Sequence, residues 1–376
     1  RKDFFEMPST QSTQDNDTMR YHPMIAVVGM AGLFPGASNL QAYWQNVISK
    51  SPATREAPVH RWIAAADEMV SSTLTPDKAL HDRCCTVDRI EVDPTGLSLP
   101  PSLIAELDPL YHMVLEVGRK SVSEPVPIKL NRQHTGIILA AIALPTDTSS
   151  AITRELFRAF FEKKILGSFD YRIPTPNKAK AATVTALPAA LLARALGLGG
   201  GTYTLDAACA SSIYAVKLAC DELIARRADA MLAGGVSRPD CLYTQVGFSQ
   251  LKALSPSGRC APFDRSADGL VVGEGAGVLV LKRLEDACAD NDRIYGVIHG
   301  IGLSNDMRGN LLAPETRGQL RAMQSAYRAA GWHPSDIDLI ECHGAGTPVG
   351  DTTELNSLCR LWGDIGWTPG QCAIGS

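Results

Sequence analysis

Short runs of apolar and β-branched residues recur along the chain, separated by stretches in which apolar positions return every three or four residues. The runs are MIAVVGM (24–30), TGIILAAIA (135–143), TYTLDAA (202–208), DAMLAGGVS (229–237), GVLVLKRL (277–284), YGVIHGIGLS (295–304) and DLIECHG (338–344). Continuous apolar runs of this length read as strands buried on both faces. Between them the spacing predicts helices near 40–49, 102–122, 152–165, 186–196, 211–227, 316–330 and 352–362. Strands alternating with helices predict an α/β class with a layered sheet core.

The stretch LDAACASSIYAV (205–216) lies where a strand pattern turns into a helical one. Ile213, Val216, Cys220 and Leu223 share one face of that helix, while Lys217, Asp221, Glu222 and Arg226 fall elsewhere. Glu222 precedes Arg226 by four residues, the orientation that favours a helical ion pair worth about 0.2–0.5 kcal/mol. The pattern sets Cys209 almost at the helix start, where unpaired backbone N–H groups and the positive end of the macrodipole suit a nucleophilic sulfur. Small neighbours, Ala208, Ala210, Ser211 and Ser212, leave room for a substrate. A lone cysteine here would equally well fill space between a strand and a helix, so the rest of the chain decides.

Composition narrows the alternatives. With 376 residues, 45% hydrophobic and 20% charged, the chain suits one large globular domain or two closely packed halves. Its longest apolar stretches, TGIILAAIALP and ALPAALLARALGLGG, are too short or too interrupted to span a bilayer. Net charge is -4 with Lys and Arg scattered, which leaves no footprint for nucleic acid. Ten cysteines without a C-x-x-C pair, and no secretory signal, point to reduced thiols and a cytoplasmic location. The histidines form no cluster with cysteines, so no metal is expected. The chain opens on Arg1, runs through the polar PSTQSTQDNDT and stops on the strand-like CAIGS, which suggests a segment of something longer.

Five stretches carry a family resemblance: IAVVGMAGLFPGASNLQAYWQNV, LIAELDPLYHMVLEVG, LDAACASS, SPSGRCAPFDRSADGLVVGEGAGVLVLKRLEDA and ECHGAGTPVGD. In this order they resemble the β-ketoacyl synthases, the condensing enzymes of fatty acid and polyketide assembly. The resemblance implies a thiolase-like layered αβαβα fold: a linker at 1–23, an N-terminal half at 24–292 and a truncated C-terminal half at 293–376. It implies that Cys209 takes an acyl group from a carrier thioester, its own N–H contributing to an oxyanion hole. For His343 it implies a hydrogen bond to the carbonyl of the malonyl unit, and for Thr347 a contact to the phosphopantetheine arm. Ala345 stands where the family has another threonine. No cofactor is implied for the domain itself, because the substrates ride on the phosphopantetheine of an acyl carrier protein. The family's second active-site histidine, in a KSNIGH motif, would lie past Ser376, so the 376-residue chain alone is expected to be inactive.

Asp264 and Glu274, in the glycine-rich loop before a buried strand, read as structural. Gly344, Gly346 and Gly350 read as allowing tight turns at a pocket edge. Within the family, LDAACASSIYAVKLACDELIARRADAMLAGGV and NDMRGNLLAPET are most similar to the synthase domains of polyunsaturated fatty acid synthases and related iterative megasynthases. The implied partners are an acyl carrier protein, acyltransferase and chain-length-factor-like domains, and a second copy of the chain. In that homodimer TYTLDAA pairs with its two-fold mate, and ALPAALLARALGLGGG supplies apolar surface. Two other roles stay open: a non-elongating synthase and a chain-length-factor-like scaffold.

Overall fold

Strand β4 (Thr135–Ala141) is buried at every position, as an unbroken apolar run requires. The other strands are β1 (Ile25–Leu33), β2 (Arg55–Glu56), β3 (Arg83–Cys84), β5 (Thr202–Leu205), β6 (Ala230–Ser237), β7 (Gly275–Arg283), β8 (Gly296–Ile298), β9 (Leu339–Glu341) and β10 (Ala373–Gly375). The computed structural model describes residues 24–88, 90–123, 125–167, 187–308, 313–363, 368 and 370–376, so the expected linker 1–23 and part of NDMRGNLLAPET lie outside the described residues.

Six strands form a mixed sheet in the order β5-β4-β6-β7-β1-β8. β5, β4 and β6 run parallel, and β6, β7, β1 and β8 pair antiparallel. Side chains alternate between two covers, since successive strand residues face opposite ways. Ile137, Leu139, Leu232 and Val280 belong to one cluster with helices Pro109–Ser123 and Leu187–Leu196. Ile138, Ala140, Met231 and Leu281 belong to another with Ala215, Ala219 and Leu223 of helix Ser211–Ile224. Two covered faces explain why these strands lack polar alternation. A second, two-stranded parallel sheet pairs β9 with β10.

Several expectations change. The helix foreseen over 102–122 is two, Pro101–Glu106 and Pro109–Ser123. Pro109 disfavours helical backbone at Asp108, whose Oδ1 accepts the Leu110 N–H at 2.8 Å and starts the second helix. Helix Cys241–Gln250, not foreseen, buries Thr244, Gln245 and Ser249 together with Cys241 and Leu242, so polar residues interrupt the apolar period of its inner face. YGVIHGIGLS and DLIECHG keep three strand residues each. Among the described residues β9 and β10 are largely exposed, Leu339 and Ile374 included.

Helix Ser211–Ile224 also differs in its inner face, which is Ser211, Ala215, Ala219, Cys220 and Leu223. Ile213 is exposed, since close approach to the sheet selects the alanines at four-residue spacing. The expected Glu222–Arg226 pair is absent among the described residues. The helix stops at Ile224 and Arg226 turns left-handed, so Arg226 meets Glu285 at 2.6 Å while Glu222 takes Arg227. Helix Leu187–Leu196 is no spare apolar surface either. Its Leu191, Leu192, Ala195 and Leu196 are buried within the chain, and Gly118 lets the neighbouring helix approach so closely that a side chain there would strike Leu192.

Candidate active site

Cys209 sits in a short turn between β5 and helix Ser211–Ile224, in the single 3-10 turn Ala208–Ala210. The turn forms because Ala208 takes a left-handed backbone, φ 52°, which L-residues adopt only with local support. Two side chains supply that support. Asp206 Oδ1 accepts the Ala208 N–H at 2.9 Å, and Oδ2 accepts the Ala143 N–H at 2.9 Å. Ser211 Oγ accepts the Ala207 N–H at 2.7 Å and donates to the Ala208 carbonyl at 2.5 Å. Cys209 itself is exposed.

His343 follows β9 and is likewise exposed. Its loop is braced from the next helix, Pro348–Trp362. Glu354 Oε1 accepts the His343 N–H at 2.7 Å and Oε2 accepts the Gly344 N–H at 2.9 Å. Buried Asp351 accepts the Gly346 N–H at 3.1 Å and the Phe263 N–H at 2.8 Å, tying the histidine loop to the glycine-rich loop. Gly344 and Gly346 have φ of 46° and 71°, so the expectation of tight turns holds at these two. Gly350 has no positive φ and lies inside the helix.

A chain of contacts joins the two loops. The Tyr214 hydroxyl, one turn beyond Cys209, donates to the Ser304 carbonyl at 3.4 Å, and Ser304 Oγ donates to the Gly318 carbonyl in helix Thr316–Ala330 at 2.5 Å. From the same helix Gln319 Oε1 accepts Ser357 Oγ at 2.6 Å, one turn beyond Glu354. Cys209 and His343 share no hydrogen bond among the described residues, so a substrate would have to bridge them. Thr347 is half-buried at the start of helix Pro348–Trp362, where its side chain makes no capping bond.

Asp264 and Glu274 take structural positions. Asp264 Oδ1 accepts the Ser266 N–H and hydroxyl, an exposed local turn. Glu274 is buried in a ring of alternating charge: Arg61 reaches Glu274 at 2.5 Å and Asp147 at 2.8 Å, while Arg238 reaches Asp147 at 2.9 Å and Glu274 at 3.9 Å. Exposure alone does not single out one thiol, since Cys260, Cys288 and Cys359 are exposed as well. Two others are held protonated. Burial pushes the Cys220 thiol up to about 12, and partial burial with Glu354 and Glu341 nearby pushes Cys342 up to about 11. Sequence reasoning missed Asp206, Ser211, Asp351 and Glu354. The available signal was their place in LDAACASS and in GDTTE, where Asp351 and Glu354 sit three apart on one helix face.

The β-ketoacyl synthase N-terminal domain matches residues 23–287, and the β-ketoacyl synthase C-terminal domain matches 295–376. Polyketide synthase PksL of Bacillus subtilis is 33% identical over 358 residues, covering 94% of this chain and 7% of that protein. The mycocerosic acid synthase-like polyketide synthase of Mycolicibacterium smegmatis is 33% identical over 363 residues, covering 94% of this chain and 16% of that protein. The chain thus spans under a fifth of the length of these curated relatives. Among solved structures, the PfaC keto synthase-chain length factor superposes with a TM-score of 0.84 at 35% identity, over 92% of this chain and 39% of that one. The ketosynthase from module 6 of the bacillaene synthase of Bacillus subtilis 168 gives 0.78 at 32% identity, over 94% and 56%. The fold is the expected thiolase-like layered α/β arrangement, and the chain belongs to the β-ketoacyl synthase family.

Proposed function

We propose that this domain carries out decarboxylative condensation, joining an acyl chain held on Cys209 to a malonyl unit held on an acyl carrier protein. Cys209 Sγ attacks the acyl thioester, and the carrier's phosphopantetheine thiol leaves with the proton. The malonyl thioester then loses carbon dioxide, the electron pair moves toward its carbonyl oxygen, and the resulting carbon attacks the acyl group as Cys209 departs. His343 acts as a donor to that oxygen, a preorganised site for charge that develops only in the transition state. Thr347 holds the phosphopantetheine arm. The observation that carries this reading is the exposed Cys209, presented on a turn whose strained backbone is fixed by its own neighbours.

The resemblance to polyunsaturated fatty acid synthases supports a megasynthase with acyltransferase and chain-length-factor-like domains as the setting. A homodimer is supported by β5, which lies at the sheet edge with Tyr203 exposed and, among the described residues, no strand on its outer side. The test, made on the intact synthase, is intact-protein mass spectrometry of the acyl adduct together with detection of the β-ketoacyl product from malonyl-carrier thioester. An adduct on Cys209 followed by product supports the reading. Acylation without product moves the domain to a non-elongating role.

A further inference from the structure

We propose that Asp206 is a positioning residue for the thiol, holding the turn that presents Cys209 to its thioester. This rests on the reading of Cys209 as the acyl acceptor. The β4–β5 ladder ends at the pair Ala140–Leu205, and beyond it the two strands part. Asp206 continues the connection with its side chain, one oxygen taking Ala143 N–H from the segment after β4 and the other taking Ala208 N–H inside the turn. A single carboxylate thus fixes both the left-handed residue before the nucleophile and its distance from the neighbouring strand. Ser211 closes the turn from the helix side through Ala207 N–H and the Ala208 carbonyl. Ala210 N–H is spent on the Ala207 carbonyl at 3.3 Å, and among the described residues no protein acceptor takes the Cys209 N–H. The clamp therefore leaves free the one donor that the attacked carbonyl oxygen needs.

The residue type matters. A carboxylate has two acceptor oxygens and no donor, which matches two N–H groups, whereas an amide would turn its own N–H groups toward one of them. Asp206→Asn is the informative change in the otherwise intact synthase. Transfer from an octanoyl-phosphopantetheine thioester to Cys209, followed by intact mass, is expected to slow by about ten- to a hundredfold, the usual effect of misplacing a reacting atom. Alkylation of Cys209 by iodoacetamide, which needs only an exposed sulfur, is expected to stay within about threefold of wild type. Acyl transfer within about twofold of wild type, or a parallel loss of alkylation and melting temperature, overturns the proposal. If Asp206→Asn does not fold, the double variant with Ala208→Gly lets the turn form without the clamp. Slowed acylation by that folded protein supports the proposal, and wild-type acylation overturns it. Absence of any adduct on the wild-type protein instead condemns the acyl-acceptor reading.

Discussion

Cys209 and His343 both follow a strand that pairs in parallel, and in both turns a carboxylate gathers two backbone N–H groups. The sources of the carboxylates differ. Asp206 lies in the turn it braces, next to a strand of the large sheet and a helix whose Ala215, Ala219 and Leu223 are fully buried. Glu354 reaches back eleven positions, from a helix beside a two-stranded sheet whose Leu339 and Ile374 are exposed. Both turns therefore depend on contacts distant in sequence: Asp206 ties the turn of Cys209 to Ala143 beside the large sheet, and Glu354 ties the loop of His343 to the helix that follows it. Each turn is therefore expected to respond chiefly to damage in its own scaffold, the large sheet for the first and helix Pro348–Trp362 for the second.

Replacing Cys209 with alanine gives the largest effect, because it removes the nucleophile and leaves the rest of the turn intact. No acyl adduct and no β-ketoacyl product are expected, with an unchanged melting temperature. His343→Ala separates the two stages. Acylation should persist while condensation falls by about a hundred- to a thousandfold, the usual cost of a lost oxyanion donor. Condensation at an undiminished rate in stopped assays would remove His343 from the mechanism.

Glu354→Gln probes the tertiary brace directly. One oxygen remains to accept either the His343 or the Gly344 N–H, and the amide group opposes the other. Condensation is expected to fall by about ten- to a hundredfold while acylation of Cys209 is spared. Equal loss of both stages would mean that the two turns are not independently supported. The contact chain from Tyr214 through Ser304, Gly318, Gln319 and Ser357 is then the route to disrupt next.

The backbone of each turn offers a finer contrast. Gly344→Ala puts a side chain on a residue with φ 46° and brings its Cβ within 3.2 Å of Pro262 Cβ, as well as against Ser376. A loss of about 1–2 kcal/mol is expected from the left-handed conformation alone. Ala208→Gly relieves the same strain of about 1–2 kcal/mol but adds unfolded-state freedom worth about 0.5–1 kcal/mol, so stability is expected to stay level or rise slightly. Urea midpoints measure both. A clear loss in Ala208→Gly would show that the alanine methyl contributes packing that the turn needs.

Much of this was legible from periodicity. β4 falls where its apolar run puts it, since burial on both faces of a large sheet selects that pattern directly, and helix Thr316–Ala330 falls where its three-to-four spacing puts it. Cys209 and His343 stood out through resemblance, not spacing. What stayed hidden depends on partners distant in sequence. Arg226 leaves Glu222 for Glu285 because the helix ends at Ile224, three residues before the expected end at 227. Helix Cys241–Gln250 was invisible because its buried residues mix Cys241 and Leu242 with Thr244, Gln245 and Ser249, Gln245 donating to the Arg83 carbonyl at 2.7 Å. The carboxylates that brace the turns were also unread, since an Asp or Glu in a motif looks the same whether it faces substrate or backbone.

The smallest expected effect is a dependence on pH confined to the histidine side. His81 Nε2 lies 2.7 Å from the Ser255 carbonyl, which can only accept, and Nδ1 lies 3.0 Å from the Arg83 N–H, which can only donate. The fold therefore specifies the neutral ring with its proton on Nε2. Burial lowers the His81 pKa from its ordinary 6.5, against the opposing pull of the Ser255 carbonyl. The unfolded chain consequently takes up a proton first as pH falls below about 6.5, so stability declines through that range and levels off below the folded pKa. Ser255 begins the loop that delivers Phe263 to Asp351, so the bond that acid weakens at His81 lies on the His343 side. His81→Gln should keep a hydrogen bond to Ser255 and flatten the fall in urea midpoint between pH 7 and pH 5. An unchanged slope in that variant would assign the acid sensitivity to another group.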